Sequence, residues 1–157
     1  MKRYAFLFVL MVCSLSSCEP DDICLAETPG TPQLIFVFYD ALQPESKKEV
    51  PNLQVKGVGL DTDIHSGTTD SIAVPLKIND NMTTVMFTKT DNNILLEESI
   101  RFTYSSYDRF ISRACGYQKN FTTLGAERSN PAIWIENIEI LTDTISDIKT
   151  THVKILH

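Results

Sequence analysis

Between Ile72 and Ile78 the chain alternates without a slip: Ile72, Val74, Leu76 and Ile78 are set against Ala73, Pro75 and Lys77. A period of two puts one set of side chains on one face of an extended strand, whereas an amphipathic helix needs a period near 3.6. No stretch elsewhere combines helical spacing with caps, so the chain is constrained to a β fold. Pro75 has no N–H to give to a ladder, which places this strand near a sheet edge or at an unpaired position. Asn79-Asp80-Asn81 turns the chain, and Val85 and Phe87 alternate with Thr84, Met86 and Thr88 in a return strand. Asp91-Asn92-Asn93 turns it again, because Asn and Asp tolerate the left-handed backbone. Leu96, Ile100, Phe102 and Tyr104 mark the next strand. Together the three predict a meander.

The rest of the chain obeys the same grammar. Residues 33–40 (QLIFVFYD) are apolar on both faces, which predicts a central buried strand. Residues 41–51 hold two prolines and several charges and predict a loop. Residues 52–60 alternate through Leu53, Val55, Val58 and Leu60, with a parity break at Gly57 that suggests a bulge. Residues 61–70 are polar and read as a loop. Residues 107–115 predict a strand turning at Gly116, residues 120–123 a short one, and residues 125–131 a polar loop. In residues 132–141, Ile133 and Ile135 fall on one parity and Ile138 and Ile140 on the other, so a bulge is expected near Glu136-Asn137. Val153 and Ile155 define a last strand. About eight to nine short strands with turns between them predict an all-β fold, an antiparallel β-sandwich of the immunoglobulin-like kind.

The N-terminus says where such a domain goes. Lys2 and Arg3 precede an apolar run over residues 5–15, followed by small residues. That order is a secretory signal peptide, and the run is shorter than the roughly 20 residues that span a bilayer. Ending on Leu15-Ser16-Ser17-Cys18, it resembles the lipobox of bacterial lipoproteins. The resemblance implies that the Cys18 thiol is lipidated, that residues 1–17 are removed and that the new N-terminus is acylated. The expected layout is signal peptide 1–17, lipid-anchored tether 18–32 and β-sandwich domain 33–157. Removing residues 1–17 from 157 leaves 140, enough for a real core. Losing Lys2 and Arg3 takes the formal charge from −6 to −8. An acidic chain without a Lys/Arg cluster argues against nucleic acid and anionic headgroups as partners. Attachment to a membrane comes instead from acyl chains, two or three of which hold firmly. Glu19-Pro20-Asp21-Asp22 is similar to the acidic surface-export signal of Bacteroidota lipoproteins, and a solvated spacer explains the same residues.

Four cysteines allow three pairings. If the lipobox is used, Cys13 is discarded and Cys18 is lipidated. Cys24 and Cys115 then remain, and an oxidising compartment joins them. The loop of about 90 residues is worth on the order of 4–5 kcal/mol in the loop-entropy description. The alternative is a pair of buried free thiols. With Cys24 fixed, the six residue steps from Cys18 reach about 20 Å, which holds the domain against its membrane. As a whole the mature region resembles an uncharacterised family of small envelope lipoproteins of the Bacteroidota type, through residues 18–24 (CEPDDIC), 32–40 (PQLIFVFYD), 112–117 (SRACGY) and 134–140 (WIENIEI). The resemblance implies the anchor and the Cys24–Cys115 pair. It implies no activity. The expected location is the cell envelope, in the outer membrane on its periplasmic or surface face.

Catalytic chemistry is sparse. Asp61, Asp63 and His65 sit at period two, so an extended backbone would put two carboxylates and an imidazole on one face, a set able to hold a divalent metal for a hydrolase. A polar strand end running into a loop gives the same letters. Ser146-Asp147-Ile148-Lys149 matches Ser-x-x-Lys, but enzymes that use the motif present it on a helix, and its partner motifs are missing. There is no Gly-x-Ser-x-Gly, no His-Glu-x-x-His and no phosphate-binding glycine loop. Arg109 and Arg113 share a parity with Cys115 and could form an anion site, or cover a sheet face and pair with carboxylates. Trp134, Tyr104, Tyr107 and Tyr117 could stack on a sugar, although a single Trp is more often core. Asp70-Ser71-Ile72 and Asp143-Thr144-Ile145 match the Bacteroidota O-glycosylation pattern at Ser71 and Thr144. Asn81 and Asn120 fit the N-glycan pattern. The expectation is a lipid-anchored, non-enzymatic binding or structural module without catalytic residues or cofactor. Its partners are the membrane and another envelope protein or a glycan. The alternatives are a metal-dependent hydrolase and a carbohydrate-binding module.

Overall fold

The structure is a computed structural model that describes residues 23–157. The signal peptide, Cys18 and residues 19–22 of the tether lie outside the described residues. None of the described residues is helical. Nine strands form in chain order: β1 (Leu34–Tyr39), β2 (Val50–Gly57), β3 (Asp63–Thr69), β4 (Ser71–Val74), β5 (Met82–Asp91), β6 (Ile94–Ser112), β7 (Gly116–Arg128), β8 (Asn137–Ile140) and β9 (Val153–Leu156). They make a four-stranded sheet in the order β4-β1-β9-β8 and a five-stranded sheet in the order β3-β2-β5-β6-β7. The expected all-antiparallel arrangement is corrected at one ladder. β1 and β9 run parallel, with Phe36 opposite Val153 and Tyr39 opposite Leu156.

Residues 34–39 form the heart of the small sheet because both of their faces are apolar. Leu34, Phe36, Val37 and Phe38 are all buried. Phe36 points into the large sheet, its ring 5.6 Å from Phe87 and 5.2 Å from Phe102, both edge-on. Such pairs add about 0.5–1.5 kcal/mol beyond the area they bury. One hydrophobic core thus fills the space between the two sheets.

Four expectations about elements are corrected. The three-strand meander is broken, because β4 stops at Val74 before Pro75 and belongs to the small sheet, while β5 and β6 pair in the large one. Tyr104 holds the crossing segment: its hydroxyl donates to the Lys77 carbonyl at 2.9 Å and lies 2.7 Å from the Thr83 hydroxyl. The Lys77 N–H in turn donates to Thr83 Oγ1 at 3.0 Å. Residues 61–70 are mostly strand. β3 is an edge strand, and its pairing to β2 needs only main-chain groups, so polar side chains suit it. Residues 94–112 are one strand, and β7 runs through the expected polar loop to Arg128. Finally, residues 132–136 are not strand; β8 begins at Asn137. They are tied down by buried Glu98, whose Oε2 accepts from the N–H groups of Ile133, Trp134 and Ile135 at 3.3, 2.9 and 2.8 Å. Arg128 Nε lies 3.5 Å from Glu98 Oε1, and the same guanidinium donates to the carbonyls of Ile135 and Glu136.

Candidate functional site

The β6–β7 hairpin outruns its sheet. β5 leaves β6 at the pair Met82–Thr103, while β6 and β7 stay paired out to Ser112–Gly116. The ladder shifts register between Thr103 and Ser105, where Thr123 takes a positive φ of 54°. A bulge of this kind strengthens local twist and re-aims the strands beyond it. The result is a two-stranded arm that a lone hairpin could not sustain in water. Three devices support it. Cys24 is disulfide-bonded to Cys115 beside its turn. The Lys119 N–H donates to Thr31 Oγ1 at 3.2 Å. Phe121 and Ile145 exchange main-chain bonds at 3.0 and 2.8 Å. The last contact brings residues 146–149, which run into a bend at 147–150, over the arm. Between this bend, the Thr28-Pro29 stretch and the arm residues Arg109, Ile111 and Gln118 lies a cavity of about 520 Å³, open on one side.

Its electrostatics are legible residue by residue. Arg109 faces Gln118 across the ladder. Gln118 is only 8% exposed, and its Nε2 donates to Asn120 Oδ1 at 2.9 Å. Asn120 Nδ2 donates to the Tyr107 hydroxyl at 3.3 Å. This relay fixes which way the amides point and leaves Gln118 Oε1 without a hydrogen bond among the described residues. Asp147 is engaged with its own bend. Oδ1 accepts from the N–H groups of Lys149 and Thr150 at 2.7 and 2.8 Å, and Oδ2 accepts from Thr150 Oγ1 at 2.8 Å. The donated backbone and hydroxyl hydrogen bonds hold its carboxyl down to about 2. Arg109 and the Lys149 ammonium have no ion pair among the described residues. The cavity therefore carries two uncommitted cations, one committed carboxylate, an acceptor lacking a donor, and apolar wall from Pro29, Ile111 and Ile148.

The other sequence-derived candidates fall elsewhere. Asp61 and Asp63 are exposed at the edge strand, and His65 Nε2 lies 3.2 Å from the Gly67 carbonyl. Among the described residues no group of three or more His, Cys, Asp or Glu is placed to hold a metal, so Asp61, Asp63 and His65 do not make the site their spacing suggested. The structure separates Arg109 from Arg113: Arg109 lines the cavity, and Arg113 lies in the arm's turn with contacts of its own. Ser146 precedes a bend over residues 147–150 that holds Lys149, and neither residue is on a helix. Trp134 and Tyr104 are buried in the core and offer no face to a sugar. Tyr117, one of the expected stacking residues, is 69% exposed and meets Phe110 edge-on at 5.3 Å; only Phe110 carried no sequence signal. Ser71 is exposed on edge strand β4, and Thr144 is half-buried with its hydroxyl bonded to Asp143 Oδ1 at 3.0 Å. Asn81 is exposed, whereas Asn120 is 1% exposed and closed to a glycan. Thr28, Pro29, Ile111 and Gln118 carry no sequence signal of a site, because only the tertiary fold brings them together.

Residues 52–157 match a family described as "Family of unknown function (DUF6452)". No curated protein and no solved structure matches the chain. The family match includes Arg109, Ile111, Gln118 and residues 146–149, and begins after Cys24, Thr28 and Pro29.

Proposed function

The chain belongs to that family of unknown function, DUF6452, and from that premise we propose a non-enzymatic cell-envelope module that binds another envelope component. In this reading it is a bacterial lipoprotein whose lipobox, residues 15–18, delivers Cys18 for acylation. It is anchored in the outer membrane, on the periplasmic or the surface side. In this reading the two packed sheets form an immunoglobulin-like sandwich, with strand orders that are this chain's own. The observation that supports the reading best is the Cys24–Cys115 bond. It anchors the chain only six residue steps after Cys18, a reach of about 20 Å, and the cavity lies at the same end of the fold. An acylated Cys18 would keep that cavity close to the bilayer.

Labelled fatty acid tests the anchor. Expressed with its leader in a lipoprotein-processing host, the wild type incorporates label and loses residues 1–17 by intact mass. Cys18→Ala incorporates none and stays uncleaved. Equal labelling of the two, or an unlabelled wild type, would overturn the reading.

The exposed Phe110–Tyr117 pair supports a second reading, carbohydrate binding by ring stacking. A glycan array that responds to the wild type and not to Tyr117→Ala would favour it.

A further inference from the structure

We propose that the cavity against the hairpin arm is a receptor for the free C-terminus of a peptide. Four features of its wall point to this ligand, whether or not Cys18 carries lipid.

Charge comes first. Arg109 and Lys149 are uncommitted, and Asp147 is ionised but saturated by its own bend. The net local charge is +1, which complements one carboxylate and not a phosphate dianion. Arg109 is the natural primary contact, since its planar fork matches a carboxylate in bidentate fashion. Gln118 comes second. Its Oε1 accepts no hydrogen bond from the described residues while Nε2 is committed to Asn120, so Gln118 offers the cavity an oriented acceptor for a ligand N–H. Third, Ile111, Ile148 and Pro29 offer an apolar wall to a side chain. Fourth, the cavity of about 520 Å³ falls within the range of pre-formed ligand sites, roughly 300–1,000 Å³. A carboxylate, an amide N–H one residue away and an apolar side chain are the three groups carried together by the last residues of a peptide. A fatty acid lacks the N–H. A neutral sugar lacks the charge.

A second, smaller cavity of about 130 Å³ shares Ile148 and extends along Gly30, Thr31 and Gln33 toward Ile35. It gives the upstream residues of the peptide a path beside the tether.

The test uses full-length chain purified in mild detergent and fluorescent tripeptides ending in Ala, Leu, Phe or Lys, each as free acid and as C-terminal amide. At least one free acid binds, and its amide binds about tenfold or more weakly, as expected for losing a charge-assisted pair. Arg109→Gln weakens the free acid by a similar factor and leaves the amide unchanged, with an unaltered melting temperature because Arg109 is exposed. Gln118→Leu weakens acid and amide alike, since the N–H is common to both. The proposal is overturned by equal affinity for acid and amide, by no binding of any free acid at millimolar concentration, by an Arg109→Gln chain that binds the acid as the wild type does, or by decanoate binding as tightly as the best peptide.

Discussion

Replacing Glu98 by Gln keeps the shape of the side chain and removes its charge. The carboxylate is fully buried, accepts three N–H groups from residues 133–135 on one oxygen, and faces the Arg128 guanidinium with the other. A hydrogen bond to a charged group contributes about 1.5–3 kcal/mol and a neutral one about 1 kcal/mol, so three bonds made neutral give up about 2 kcal/mol or more. Gln also turns an N–H₂ toward Arg128, a donor against a donor. Removing one partner of a buried pair costs about 3–5 kcal/mol; Arg128 is 30% exposed, which discounts the figure. The expected net loss is about 3–4 kcal/mol. At about 2–4 °C per kcal/mol for a chain of this size, the melting temperature falls by about 10 °C. Urea unfolding reads the loss as a lower midpoint at constant slope. Hydrogen exchange adds a local signature: the amides of Ile133, Trp134 and Ile135 lose more protection than that of Phe102. A loss under about 1 kcal/mol, or unchanged protection at those three amides, would mean that Glu98 does not hold this segment through its charge. Arg128→Ala in the same background should cost less than additively, since the two residues share one network.

Opening the 91-residue loop with Cys24→Ser and Cys115→Ser together lowers stability by about 4–5 kcal/mol in urea, and reductant reproduces the shift in the wild type; a change under about 1 kcal/mol would contradict it. Burial pushes His152 and His157 below the ordinary value of 6.5, and the Nδ1 of His152 must stay unprotonated to accept the Ile35 N–H at 3.1 Å. The folded chain therefore binds these protons at lower pH than the unfolded chain. Stability is level above about pH 6.5 and declines below it, by up to about 1.4 kcal/mol per pH unit for each histidine. A urea midpoint that holds or rises between pH 7 and 5 would count against this. Tyr104→Phe removes the hydroxyl that ties Lys77 and Thr83 together and costs about 1–3 kcal/mol by thermal melting.

Residues 33–40 and 153–156 read as strands because their apolar letters leave no other use for them, and the Cys24–Cys115 pair emerged once the other two cysteines were set aside. β3 escaped notice because Asp63–Thr69 buries almost nothing; main-chain pairing alone makes it a strand. Residues 107–115 do read as a strand turning at Gly116; what stays hidden is its continuity with the strand from Ile94, because residues 105–110 are exposed and break the apolar alternation. Pro75 rightly signalled an edge but not the change of sheet after it, which depends on Tyr104 reaching back to Lys77 from a distant strand. The cavity was half visible. Arg109 stood out as a candidate anion ligand, but its companions Gln118 and Lys149 are ordinary letters in a one-dimensional chain. The Asp61, Asp63 and His65 spacing promised more than an edge strand assembles.

The parallel ladder between β1 and β9 sets an order of events in synthesis. Phe36 is translated early, yet its neighbour Val153 arrives 117 residues later. Until then β1 can pair only with β4, and its other edge stands open with Phe36 and Phe38 beside it. A strand in that state invites association with other chains. Closure of the small sheet is therefore a late event that waits for residues 153–156. Deleting residues 153–156 would do more than shorten the domain: it would split the small sheet into a β4-β1 hairpin-like remnant and an orphaned β8.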